Sequence, residues 1–121
     1  MQVLVVDAAN VVGARPDGWW KDRAGAARRL HESLMTADLP HDEIVLVLEG
    51  GAKGGHRAGR DAHVVTVHAP ADGDSAIVES VREVVGRGAR VTVVSADRFL
   101  RARVEGLGAL CVGPTWLWDQ L

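Results

Sequence analysis

A single cysteine, Cys111, among 121 residues excludes an intramolecular disulfide and any zinc site built from several thiolates. It falls in the apolar stretch Ala109 to Val112, the setting of an inert core thiol rather than a nucleophile. No apolar run approaches the length of a membrane span. The N-terminus also lacks the charged, apolar and small-residue succession of a signal peptide, so the expected setting is cytoplasmic, without membrane contact. An excess of positive charge is missing too. Lys and Arg number 14 against 16 Asp and Glu, for a net charge of -2, which argues against a protein that coats nucleic acid by bulk charge. No internal repeat is present, and GGAKGG does not satisfy the GxxxxGK[ST] pattern of a phosphate loop.

What remains is an ordinary globular composition, 47% hydrophobic and 25% charged, long enough for one core and too short for two. Residues 1-121 are therefore expected to form one domain. Apolar runs recur at Val3 to Val6, Ile44 to Leu48, Val64 to Val67, Val91 to Val94 and Leu110 to Val112. They are short, mostly β-branched and not alternating, as in strands buried on both faces of a parallel sheet. Helical stripes separate them. Ala24, Ala27, Leu30 and Leu34 share a face over Trp20 to Leu34, and Ile77, Val81, Val84 and Val85 do so over Asp74 to Val85. Over Arg98 to Leu107, Phe99 or Leu100 points inward with Val104 and Leu107. Alternating strands and helices predict an open α/β sandwich with right-handed crossovers. Gly13 to Gly18 reads as a loop. Gly50 to Asp61, GGAKGGHRAGRD, reads as a mobile loop without an apolar anchor, and Gly113 to Leu121 as a turn and short helix whose Trp116, Leu117 and Trp118 cap the core.

Four acids stand out once placed on this scheme. Asp7 ends the first strand in VLVVDAANVV, with no helix expected directly after it; Glu49 follows the second strand. Asp74 opens the helix after the third strand, and Asp97 the helix after the fourth. All four fall at the carboxyl ends of parallel strands, the edge where open α/β sheets bind ligands. Four carboxylates at one edge repel unless cations neutralise them, and hard divalent ions such as Mg2+ or Mn2+ prefer such oxygens. Phosphodiester hydrolysis is the natural reaction class. Asn10 would turn its amide to the same rim, and Ser95 would hydrogen-bond a ligand carboxylate. Helix capping is the competing explanation for Asp74 and Asp97, and Asp72 competes with Asp74. Glu79 is an outer acid or a solvated one. The five histidines show no metal-ligand spacing, and Trp19 and Trp20 are assigned to the core rather than to base stacking.

With VVDAANVV, VLVLEGG, DGDSAIVE and VVSADRFLRARVEGLGA in view, the chain resembles the PIN-like nucleases, in particular their NYN branch, over almost its whole length. The D-x-x-N signature matches Asp7 and Asn10, an acid after the second strand matches Glu49, D-x-x-I matches Asp74 and Ile77, and S/T-x-D matches Ser95 and Asp97. Glutamate stands where that family usually has aspartate. The resemblance implies a three-layer, Rossmann-like sandwich with a mainly parallel five-stranded sheet of order 3-2-1-4-5. It also implies a magnesium- or manganese-dependent ribonuclease, with Asp7, Glu49, Asp74 and Asp97 as metal-holding carboxylates. Lys53, Arg57, Arg60, Arg98 and Arg101 are the candidates to meet an RNA backbone. Self-association and a regulatory protein or ribosome partner are compatible with it. Two alternatives stand beside this one: a catalytically silent RNA- or protein-binding module of the same fold, and a metal-dependent nucleotide pyrophosphohydrolase. An aspartyl phosphatase is disfavoured, because Ala9 stands where the second acid of a D-x-D motif would be.

Overall fold

The computed structural model describes residues 1–121 throughout. Six strands, β1 (Gln2–Asp7), β2 (Glu43–Leu48), β3 (Gly59–Asp61), β4 (Val64–His68), β5 (Arg90–Val94) and β6 (Leu110–Val112), form one sheet of order β3-β4-β2-β1-β5-β6. The five expected strands keep the expected order as β4-β2-β1-β5-β6, and all four of their pairings are parallel. The sixth strand corrects the sequence reading. β3 pairs antiparallel with β4 through Arg60↔Val65 and comes from the end of the supposed mobile loop.

Around the sheet lie α1 (Ala8–Gly13), α2 (Arg23–Thr36), α3 (Gly73–Gly86), α4 (Arg98–Glu105) and α5 (Pro114–Gln120). β1 shows why its apolar run does not alternate. Val3 and Val5 face one core with Val45, Val47, Ile77, Val81, Leu100 and Val104, while Leu4 and Val6 face another with Leu30, Leu34, Ile44, Leu46 and Leu117. A strand covered on both faces must be apolar at every position, and each fully buried Leu or Val contributes about 1.5–3 kcal/mol. α3 and α4 cover the first face, and α1, α2 and α5 the second. No helix is long and apolar enough to cross a membrane.

Two local expectations change and one open alternative is decided. α1 starts immediately after Asp7. In α4 it is Leu100 that turns inward, whereas Phe99 is 85% exposed. The glycine-rich segment is ordered as a 3-10 helix, Gly50–Gly55, that lies along α2. Its anchor is backbone proximity rather than an apolar side chain: a Cβ on Gly55 would collide with the Ala24 carbonyl oxygen and stand 2.9 Å from the Ala27 Cβ. Glycine is needed there because the two backbones touch. The tail behaves as expected, with Leu117 fully buried and Trp118 Nε1 donating to the Val11 carbonyl at 2.8 Å. Cys111 is half-buried, and burial pushes its thiol up, away from nucleophilic use.

Candidate functional site at the carboxyl edge

Asp7 occupies the last position of β1, in the middle of the sheet, and is 4% exposed. It is the N-cap of α1, which the sequence did not reveal because AANVVG is too short to show a stripe. The cap is slack, with Asn10 N donating to Oδ1 at 3.4 Å. The firmer contact comes from Ser95 Oγ, which donates to Oδ2 at 2.9 Å. Burial pushes the Asp7 carboxyl above the ordinary range; the hydrogen bonds from Ser95 and Asn10 pull it back, and the charges of Asp74 and Glu49 raise it further.

Ser95 is fully buried and makes a second contact, its Oγ accepting from Asp97 N at 3.1 Å. One hydroxyl thus locks the first acid to the backbone of the last. Asn10 ties the same strand ends together, its Oδ1 accepting from Ala96 N at 3.0 Å. Asp97 caps α4, its Oδ1 accepting from Phe99 N at 2.9 Å and Leu100 N at 3.1 Å. Glu49 leaves β2 and reaches across to accept from Gly73 N at 2.8 Å. The fit at residue 73 is close: a Cβ there would lie 3.1 Å from the Glu49 carboxyl carbon, so that carboxylate would have to move by a few tenths of an ångström.

Asp72, not Asp74, is the N-cap of α3, accepting from Ser75 N at 2.8 Å. Asp74 sits in the first turn behind it, and the structure gives its carboxylate no hydrogen-bond or ion-pair partner. Burial raises the Asp74 carboxyl most, and Asp97, Asp72 and Glu49 raise it further, against a smaller pull from Arg103. The four acids therefore share one electrostatic neighbourhood although they come from four connections.

Oxygen donors of this kind suit a hard cation. Glu49 Oε1, Asp97 Oδ2 and both Asp74 oxygens are not engaged by the protein. No three carboxylates of this edge bring oxygens within 4.8 Å of one another, so direct coordination of one ion by three of them requires side-chain movement.

The basic candidates divide. Arg98 begins α4 beside Asp97, and neither it nor Arg101 has an ion-pair partner. Lys53 Nζ donates to the Ala69 carbonyl at 2.7 Å, close to the same edge. Arg57 is drawn to Asp61 at 2.6 Å, and Arg60 to the buried Glu43 at 3.0 Å, at the amino end of β2. The structure does not bring those two to the acids.

A second polar cluster was invisible in the sequence. His31 of α2, His56 and Asp61 of β3 place their donor atoms within 4.8 Å of one another, the one trio of such side chains that could hold a metal ion. Asp61 Oδ2 lies 2.8 Å from His56 Nε2 and 3.8 Å from His31 Nε2. The two imidazoles stack at 3.6 Å with 17° between their planes. Nearly parallel rings do not aim their lone pairs at one point, so an ion would require one ring to turn. Burial holds the His31 imidazole below its usual range, and the neighbouring His56 lowers it further. Spacing along the chain could not have found this group, because three separate elements supply it.

Two clefts flank the acids. One, of about 400 Å³, opens between Ala8, Val12, Trp19, Ala52 and Glu49. The other, about 650 Å³, runs outside α3 past Asp72, Glu79 and Glu83, and its acidic wall does not favour a polyanion. Trp19 and Trp20 are not core: Trp19 is half-buried on the first cleft and Trp20 is 54% exposed.

No protein-family model matches the chain, and no curated protein matches it significantly. Among solved structures, Rae1 (YacP) from Bacillus subtilis is similar. Its tryptophan-to-leucine variant aligns with a TM-score of 0.64 and 19% identity over 98% of this chain and 74% of that one. The structure without that substitution gives 0.63 and 17% over 98% and 72%. The likeness is one of fold: an α/β domain around a mostly parallel sheet.

Proposed function

We propose that this chain is a divalent-metal-dependent nuclease that hydrolyses phosphodiester bonds, with RNA as substrate. One observation carries the reading. Four carboxylates from four separate connections lie at the carboxyl edge of the sheet, and two of them are held above the ordinary carboxyl range by burial and by the others. A fold selected for stability alone gains nothing from that repulsion.

Asp7, Asp74, Asp97 and Glu49 would hold the ion, which when bound supplies polarisation of water and of a phosphoryl oxygen. Ser95 keeps Asp7 aimed at the rim and ties it to the turn that carries Asp97. Asn10 braces the same turn. Arg98 and Arg101, free of ion pairs, would meet the phosphate backbone, which makes binding salt-sensitive. Lys53 lies near enough to assist if it leaves the Ala69 carbonyl. The RNA preference rests on the resemblance of the motifs around Asp7, Glu49, Asp74 and Asp97 to the PIN-like nucleases.

The second reading, a silent RNA-binding module, draws on a specific observation: Asp7, Glu49 and Asp97 already accept backbone hydrogen bonds, as structural caps do. Incubation of wild type with single-stranded and structured RNA, DNA and nucleoside triphosphates, in Mg2+, Mn2+ or EDTA, separates the readings. Metal-dependent RNA cleavage that stops in EDTA and in Asp74→Asn supports the nuclease. Binding without cleavage in any metal supports the module, and nucleotide cleavage alone supports a pyrophosphohydrolase.

A further inference from the structure

We infer that the cleft between α1, α2 and the Gly50–Gly55 segment is a nucleobase pocket, which receives one base of the bound RNA beside the phosphate to be cut. The inference rests on the nuclease reading for its register and on the cleft itself for its ligand. The cleft shares two boundaries with the acidic edge. Ala8 follows Asp7 directly, and Glu49 lines both. A phosphodiester held at the acids therefore places a neighbouring nucleotide at the mouth.

The lining matches a flat, apolar ring with a polar rim. Its floor is small: Ala8 and Ala27 are almost wholly buried and contribute only methyl groups. The half-buried Trp19 indole forms one wall, with the Arg23 guanidinium 5.4 Å over its ring. Aromatic walls stack bases of any sequence, and arginine can add to the stack or meet the ring's carbonyl edge. Its volume, about 400 Å³, lies at the small end of ligand pockets. Trp19 opens a 3-10 turn, Trp19–Lys21, whose Trp19 carbonyl accepts from Asp22 N at 3.2 Å, and Asp22 Oδ1 in turn accepts from Gly25 N at 2.8 Å to cap α2, so the wall stands on a hydrogen-bonded turn. An apolar peptide side chain is the competing occupant; it would fill the alanine floor but make no use of the Arg23 guanidinium at the rim.

The test uses free nucleosides in EDTA, so it needs neither metal nor cleavage. The Trp indole Nε1–H signals of the 15N-labelled full chain are followed by NMR during titration with adenosine, guanosine, cytidine and uridine, and with ribose as control. Saturable movement of the Trp19 signal by at least one nucleoside, and none by ribose, is expected. With the backbone amide signals of the lining residues Ala8, Gly50 and Ala52 as the readout in the variants, Trp19→Ala should weaken that binding by at least ~5-fold and Trp19→Phe should largely restore it. Ala71→Leu, at an exposed lining position where folding is not at stake, should also weaken it. No saturable shift, an equal response to ribose, or full affinity in both Trp19→Ala and Ala71→Leu overturns the pocket. Nucleoside binding in a protein that cuts no RNA would keep the pocket and overturn the nuclease.

Discussion

The two polar clusters of this domain treat charge in opposite ways. At the carboxyl edge, acids face acids, and what holds them is neutral: the Ser95 hydroxyl and backbone N–H groups, with the Asn10 amide oxygen bracing the turn at Ala96. Across α2, Asp61 is surrounded by His56, Arg57 and His31, and every charge has an opposite or neutral partner. The first arrangement works against folding and makes sense as a site. The second works for folding: it fastens the Gly50–Gly55 segment and β3 to α2.

That contrast is sharpest in the acid variants. Asp7→Asn and Asp74→Asn should each lower RNA cleavage by ~100-fold or more, while leaving the thermal midpoint unchanged or higher, because each removes a charge that repels its neighbours. Ser95→Ala should resemble them in activity but not in stability, since it strands a buried carboxylate. Parallel melting curves and cleavage time courses check both.

Next in size is the fastening region. Gly55→Ala places a Cβ against the Ala24 carbonyl and should cost about 1–3 kcal/mol in urea unfolding. Loss of stability without a matching loss of metal affinity would confirm that the two regions are separate.

A smaller effect is the opposed pH response. Asp7 and Asp74 have carboxyls raised above 3.8 in the folded state, so their contribution to stability declines as pH rises through that value toward the folded ones. A divalent cation should therefore raise the thermal midpoint more at pH 7 than at pH 4. His31 is lowered from 6.5, so the stability it contributes is complete above that pH and is lost as pH falls below it. His31→Asn should flatten the melting-temperature slope below pH 6.5. The smallest change concerns Ala62, which turns the β3–β4 hairpin at φ 53. Ala62→Gly should stabilise by about 0.5–1 kcal/mol at most, relieving a left-handed backbone at a non-glycine residue.

The same contrast explains what can be read from sequence. Strands covered on both faces write themselves as unbroken runs such as VLVV and IVLVL, so the parallel core and the position of each acid after its strand are legible. Asp7, Glu49 and Asp97 stand out because a strand's end fixes where the next residue stands. Asp74 reaches the edge but does not open its helix, since Asp72 takes the cap. Phe99 and Leu100 cannot be ranked, because a stripe on a two-turn helix tolerates either. The His31–His56–Asp61 group and the order of GGAKGGHRAGRD escape for one reason. Both depend on a glycine backbone pressed onto a helix distant in sequence, and no local pattern records such contacts.

The claim that the carboxyl edge is a working cation site is tested most directly by calorimetric titration of Mn2+ into wild type and into Asp7→Asn/Asp74→Asn, with RNA cleavage assayed on the same samples. Saturable binding and cleavage are expected in wild type, with the loss of both in a variant that melts no lower. A wild type that binds no manganese and cuts nothing, beside a variant of equal stability, would contradict it.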